Sequence, residues 1–174
     1  FVATADNPSA LYYNPAGITQ LEGHQVQIGM HNLSVNSRFR SPTGVRAKTK
    51  GSFQSVPQLY YTYSPENHPL SYGLGVYVPY GLGIRWEEAN PFRSLAVEGK
   101  LLYTSINPTV AWKVNDKLSI GGGLTINYAK VDLRQGLVSA AVFDEFRFQG
   151  DDMDFGYIAG IRWQPIEKLA FGVE

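Results

Sequence analysis

The chain contains no cysteine. That excludes a disulfide framework, thiolate metal sites and a cysteine nucleophile. It has no unbroken apolar run of about 18 residues, so no transmembrane helix is predicted. An excess of one charge is also missing. Lys and Arg number 15, Asp and Glu 15, and the net charge is zero, so nothing argues for a nucleic-acid partner. Histidine is limited to His24, His31 and His68. His24 and His31 differ by seven positions, which puts them on opposite faces of a strand, and His68 falls in a turn. No metal cluster is predicted. The acidic pairs Glu87-Glu88, Asp144-Glu145 and Asp151-Asp152 read as solvated loop charges. Gly121-Gly122-Gly123 lies inside a strand pattern with no helix after it, which argues against a phosphate loop. The residues therefore point to no enzyme and no cofactor.

What the chain does have is aromatic residues and glycine: Tyr 11, Phe 9, Trp 3 and Gly 18, a composition suited to β structure with many turns. From Gly23 onward the hydrophobic period is two. Six alternating segments are predicted as strands: 24–35, 55–64, 70–81, 102–114, 118–131 and 154–164, with a partial seventh from Leu169. In 118–131, for example, Leu118, Ile120, Leu124, Ile126 and Tyr128 oppose Ser119, Gly121, Gly123, Thr125 and Asn127. Three connectors are tight turns, at 65–69, 115–117 and 165–167, whereas 36–52, 82–100 and 134–153 are long. Short turns on one side and long loops on the other are the arrangement of an outer-membrane barrel. With the short turns periplasmic, Tyr63, Tyr72, Trp112 and Trp163 form one aromatic girdle, and Tyr80, Tyr128 and Tyr157 the other. A mean hydropathy of −0.18 fits such a barrel and equally fits a soluble β ligand-binder, because only alternate barrel residues meet lipid.

Residues 1–22 follow another pattern. Asn7 is placed to cap a short helix with Pro8 at its first position, and Pro15 and Gly17 then break and restart the chain. This segment contains Asn14-Pro15-Ala16-Gly17, which resembles the N-terminal motif of the FadL/TodX family of outer-membrane channels for hydrophobic compounds. Val76-Tyr77-Val78-Pro79-Tyr80-Gly81 and the stretch from Asn107 to Leu124 also resemble family segments, in the family's order.

The resemblance implies an all-β fold: a transmembrane antiparallel β-barrel, fourteen-stranded in the family, with an N-terminal plug. Residues 1–22 would be the C-terminal part of the plug. Residues 23–174 would be the first six strands and the start of a seventh. Because lipid leaves an open sheet edge unsatisfied, such a half-barrel is not expected to insert stably alone. A signal peptide is expected upstream, and the bacterial Gram-negative outer membrane is the expected location. The implied function is passive uptake of hydrophobic molecules, long-chain fatty acids first and aromatic hydrocarbons second. The alternative is a structural or adhesive barrel without transport. Partners would be hydrophobic small molecules and outer-membrane lipid; no oligomer is expected.

Family function implies where to look for a site. Asn14, Pro15, Ala16 and Gly17 are the plug or gate. Gly75, Pro79 and Gly81 form a candidate wall gap, since proline cannot donate to the ladder and glycine weakens pairing. Leu82, Ile84, Trp86, Phe92 and Leu95 in one loop are candidates for ligand capture, because apolar side chains in exposed loops need a reason. So are Leu137, Val138, Val142, Phe143, Phe146 and Phe148 in another, where residues 137–146 have the pattern of a short amphipathic helix. Arg85, Arg93, Lys100 and Arg147 are candidate partners for a substrate carboxylate.

Overall fold

The computed structural model describes residues 1–137 and 144–174. Its main element is an antiparallel sheet. The strands are β1 (Gly23–Val35), a small hairpin of β2 (Arg38–Arg40) and β3 (Arg46–Lys48), then β4 (Ser52–Ser64), β5 (Leu70–Arg85), β6 (Glu98–Lys113), β7 (Leu118–Gly136), β8 (Glu145–Ile166) and β9 (Leu169–Val173). The large sheet has seven strands in the order β1-β4-β5-β6-β7-β8-β9, so neighbours in space are neighbours in sequence apart from the inserted hairpin. It is a half-barrel meander. Among the described residues no helix is long and apolar enough to cross a membrane.

Burial in this sheet runs opposite to that of a soluble protein. One face, here called inner, carries the N-terminal segment and buries Thr62, Ser71, Ser105, Asn107, Thr109, Ser119 and Asn127. The outer face leaves Val26, Ile28, Met30, Leu74, Ile106, Val110, Leu124, Phe155 and Ile161 exposed, with Ile28 at 78 % and Leu124 at 63 %. Apolar surface on this scale is unfavourable in water and favourable against hydrocarbon. A soluble β ligand-binder would bury the other face.

The strands also run beyond their expected ends. The expected loop 82–100 shrinks to 86–97, β7 and β8 take up 134–136 and 145–153 of the expected loop 134–153, and the loop 36–52 contains the β2–β3 hairpin. Alternation persists through these extensions, but the polarity of the faces is exchanged. The register carries the outer face of β6 and β7 from Ile106↔Ile126 up to Lys100↔Asp132 and Glu98↔Arg134. On β8 the same face presents Gln149 and Arg147. The inner face meanwhile passes from Ser105↔Asn127 to Leu101↔Val131 and Leu133↔Phe148. On β1 the outer face changes from Met30 to Asn32 and Ser34, and the inner face from His31 to Leu33 and Val35. A lower band is thus apolar outside and polar inside, and an upper crown is the reverse. The exchange marks where lipid gives way to water.

A one-residue bulge in β5 shifts its pairing with β6 between Tyr77 (opposite Ser105) and Tyr80 (opposite Tyr103). This corrects the expected alternation. Tyr80 shares the inner face with Tyr103 and stacks on it at 4.5 Å, so it does not belong to an outer girdle. Leu82 and Ile84 are strand residues on that same inner face, while Gly81 and Gly83 pair with the outward Leu102 and Lys100. The expected amphipathic helix at 137–146 is also corrected at its end, because Glu145 and Phe146 belong to β8. Val138, Val142 and Phe143 lie outside the described residues.

Candidate functional site

The N-terminal segment folds as a one-turn helix α1 (Ala10–Tyr13) and a 3₁₀ turn (Pro15–Gln20). The helix cap is Ser9, not the expected Asn7. Asn7 Oδ1 instead accepts hydrogen bonds from the Ser9 backbone N–H and hydroxyl, forming the turn that leads into α1. Asn14 joins the two pieces. Its Oδ1 accepts from Ala16 N–H at 3.1 Å, capping a turn whose first residue is Pro15. Its Nδ2 donates to Val2 O at 2.9 Å and to Ile161 O on β8 at 3.0 Å. One fully buried side chain therefore caps the turn, ties the segment to itself and ties it to the wall.

Other anchors reach other strands. Thr19 Oγ1 bonds Ser119 Oγ of β7 at 2.8 Å, Ser64 Oγ of β4 donates to Ile18 O at 3.2 Å, and Arg162 Nε of β8 donates to Ala3 O at 3.2 Å. Leu11 and Ile18 are completely buried. Each contributes roughly 1.5–3 kcal/mol relative to an exposed position. The close approach requires glycine in the wall. A Cβ on Gly121 would lie 2.6 Å from Ala16 N and Pro15 C, and one on Gly160 would lie 2.9 Å from Pro15 Cδ. The polar inner face and its glycines are thus complementary to this segment.

Above the segment the wall is broken. Pairing of β4 with β5 runs from Tyr63↔Tyr72 to Gln58↔Tyr77 and stops. Beyond that point β4 stays with β1 up to Val35↔Ser52, and β5 stays with β6 up to Arg85↔Glu98. Each lip carries a proline, Pro57 and Pro79, which has no N–H to offer the ladder. The bulge beside Pro79 swings β5 away. At the top the lips rejoin. Gln54 Nε2 donates to Gly83 O at 2.6 Å, Ser52 Oγ donates to the same oxygen at 3.2 Å, and Lys50 N–H donates to Arg85 O at 2.8 Å. The result is a framed window.

Two cavities adjoin it. One of about 360 Å³ is lined by Tyr12 of the N-terminal segment with His31, Gln58, Tyr60 and Tyr77. Tyr77 packs edge-on against Tyr12 and stacks with Tyr60. The other, of about 510 Å³, includes Phe53, Gln54, Leu82, Leu101 and Leu102. Both touch Val56, Val78 and Gly81, so these residues bound both spaces.

The residues singled out in the sequence fall into separate places. Asn14–Gly17 sit at the centre of the anchored segment. Pro79 and Gly81 border the window, whereas Gly75 lies below it in the paired region, opposite Tyr60. Trp86 and Phe92 pack edge-to-face in the 86–97 loop. That loop is organised by Asn90, whose amide bonds Glu87 O, Ala96 O and Phe92 N–H. Phe146 and Phe148 line the inner crown, and Leu137 and Leu95 are exposed at its top. Three of the four cations already hold carboxylates. Arg85 pairs with Glu88, Arg93 lies near Glu88 and Glu145, and Arg147 grips Asp132 at 2.6 and 2.9 Å. Arg93 also donates to Asp144 O and accepts from Gly136 N–H, which fastens the 86–97 loop to the β7–β8 hairpin. Lys100 has no carboxylate partner among the described residues. Sequence reasoning missed Pro57, Val56, Gln54 and Tyr12. Pro57 was visible as a proline inside a strand pattern; the others depend on which strands separate.

A polar inner face that seats the N-terminal segment, an apolar outer face and a window between β4 and β5 together characterise this half-barrel. The family described as "Outer membrane protein transport protein (OMPP1/FadL/TodX)" matches residues 1–174. The chain belongs to the OMPP1/FadL/TodX family. Outer membrane protein P1 of Haemophilus influenzae is 27 % identical over 165 residues, covering 82 % of this chain and 35 % of that protein. The Ralstonia pickettii toluene transporter TbuX superposes with a TM-score of 0.78 at 16 % identity, covering 96 % of this chain and 51 % of its own. A Pseudomonas aeruginosa FadL homologue gives a TM-score of 0.75 at 20 % identity, with 98 % and 47 % covered. The chain spans 35 % of the curated P1 relative and about half of these solved structures. As an OMPP1/FadL/TodX protein it is an outer-membrane β-barrel component of a Gram-negative bacterium.

Proposed function

We propose that this chain forms the plugged first half of a channel for passive uptake of hydrophobic molecules, with exit through the wall between β4 and β5. The observation that carries this reading is the framed window with two adjoining cavities, above residues 1–22 seated on the inner face. A hydrophobic solute gains nothing from an aqueous path to the periplasm. It enters the apolar inner crown, where Leu101, Leu133, Phe146 and Phe148 replace the water around it. The seated segment blocks the straight route, and the window opens to the outer face at the upper edge of the apolar band. Residues 1–22 act as the C-terminal part of the plug, and the Asn14–Gly17 turn is its gate.

Long-chain fatty acids are the first substrate class, with Lys100, which lines the larger cavity at the window, as the partner for a carboxylate. A second reading, monoaromatic hydrocarbons, is favoured by the inner chamber. Its lining combines tyrosines with His31 and Gln58 and includes no Lys, Arg, Asp or Glu. An ionised head would lose hydration there without a counter-charge. The similarity to a toluene transporter supports the same reading.

The test is uptake by cells carrying the full-length parent, with labelled oleate, toluene and a small sugar compared. Hydrophobic uptake without sugar uptake is expected. Sugar uptake would mean an open aqueous pore, and no uptake at all would point to a structural barrel. Deleting Pro79 removes the bulge residue and leaves Tyr80 opposite Tyr103, so β5 regains pairing with β4. Uptake should then drop to that of cells lacking the protein, with heat-modifiable gel migration retained. Undiminished uptake would place the exit elsewhere.

A further inference from the structure

The stretch 36–52 contains Arg38, Arg40, Arg46, Lys48 and Lys50 and no acidic residue. Four of these five cations form the β2–β3 hairpin. Arg38 stands opposite Lys48, and Arg40 opposite Arg46. Directly opposed like charges destabilise a strand pair. Here two such pairs occupy one face of a ribbon three residues long. Among the described residues the only carboxylate near that face is Glu87, 3.6 Å from Lys48.

The hairpin is nevertheless well built. Its turn is closed by Ser41 N–H to Val45 O at 2.9 Å, with Gly44 at a φ of +86°. Its base is closed by Thr49 and Ser37, which exchange backbone and hydroxyl bonds. Its opposite face is docked: Ala47 is buried, and Phe39 packs edge-on against Phe92 at 5.0 Å. The ribbon is thus held by its apolar side and presents its cationic side. A concave space of about 560 Å³ borders the hairpin, lined by the four cations together with Phe39, Ala47 and Glu87.

We propose that this face binds the phosphorylated oligosaccharide head of the glycolipid in the surrounding outer leaflet. Three observations favour that occupant. Several cations on one exposed face suit a multiply charged ligand better than a single carboxylate. Arginine predominates, and its planar fork matches phosphate bidentately. The hairpin begins eight residues beyond Met30, the last outward apolar residue of β1. At about 3.3 Å per residue and a tilt of about 40°, that is at most roughly 20 Å above the apolar band, the level of head-group sugars. Nucleic acid is disfavoured because the hairpin's one aromatic, Phe39, is spent on Phe92 and cannot stack a base. The inference rests on the membrane orientation and not on transport.

The test uses the folded full-length parent in detergent and a rough glycolipid with a phosphorylated core. Arg40→Gln with Arg46→Gln should weaken binding about tenfold and flatten its salt dependence, two exposed charge contacts being removed. Heat-modifiable migration and hydrophobic uptake should be unchanged. Without glycolipid the double variant should unfold no earlier than the parent, because an opposed like-charge pair has gone; a purely structural role predicts earlier unfolding. Equal binding by the variant would overturn the proposal. So would equal binding of a dephosphorylated core, or full affinity for the lipid anchor alone or for inorganic phosphate. Retention on heparin without glycolipid binding would assign the face to an external polyanion and would also overturn it.

Discussion

The lower and upper halves of the same strands obey opposite rules. Between Leu118 and Tyr128 of β7 the outward residues are apolar and the inward ones are small or polar. Between Lys130 and Arg134 the outward residues are charged and the inward ones are Val131 and Leu133. The backbone geometry does not change across this boundary. What changes is the surroundings on each side: lipid outside and the packed N-terminal segment inside below, water outside and an apolar vestibule inside above. Polarity in this chain is assigned by environment at each height and not by strand.

The largest expected effect tests the band. Leu124→Arg, outward near mid-height, should cost about 2–4 kcal/mol in urea unfolding of the full-length parent in lipid vesicles, whereas Leu102→Arg at the boundary should cost about 0–1 kcal/mol. Equal costs would erase the distinction between band and crown. A middle-sized effect tests the inside of the band. Asn14→Ala strips partners from Ala16 N–H, Val2 O and Ile161 O, a local loss of about 1–3 kcal/mol. Residues 1–22 should become protease-sensitive while the barrel keeps its heat-modifiable migration. Whole-barrel unfolding would mean the segment is part of the wall's own core.

The smallest effect tests the crown. The bidentate hydrogen bond from Arg147 holds the Asp132 carboxyl down at about 2. A folded value below the unfolded one, near 4, means the pair contributes fully above about pH 4 and is lost as pH falls through about 2. NMR shifts of the Arg147 side chain should move in that window, and Asp132→Asn should abolish the movement. Arg147 is exposed and Asp132 half-buried at the surface, so solvent screening should keep the stability change small. A shift at the ordinary carboxylate range would break the pairing argument.

Most of the band was legible in the residues. Period-two alternation over 118–131 needs no neighbour to be read, because lipid and lumen each select one face. Asn14 and Pro15 were legible as a turn, since asparagine bonds local backbone and proline fixes φ. The crown was misread because its strands are equally alternating but inverted, so an apolar Leu82 or Phe148 looked like a loop residue. Tyr80 was put on the wrong face because a single bulge residue shifts the parity, and nothing in Val78-Pro79 alone says whether a strand bends or ends.

The sequence by itself determined the fold class, the two faces of the band and the breakpoints of the N-terminal segment, all consequences of local periodicity and backbone chemistry. The tertiary structure alone decided the window, the cavities beside it, the seating of Asn14 on Ile161 and the stacking of four cations on one ribbon face. Those depend on which strand stops pairing with which, and on register between segments far apart in the chain. Such choices are made by the whole ladder rather than by any one residue.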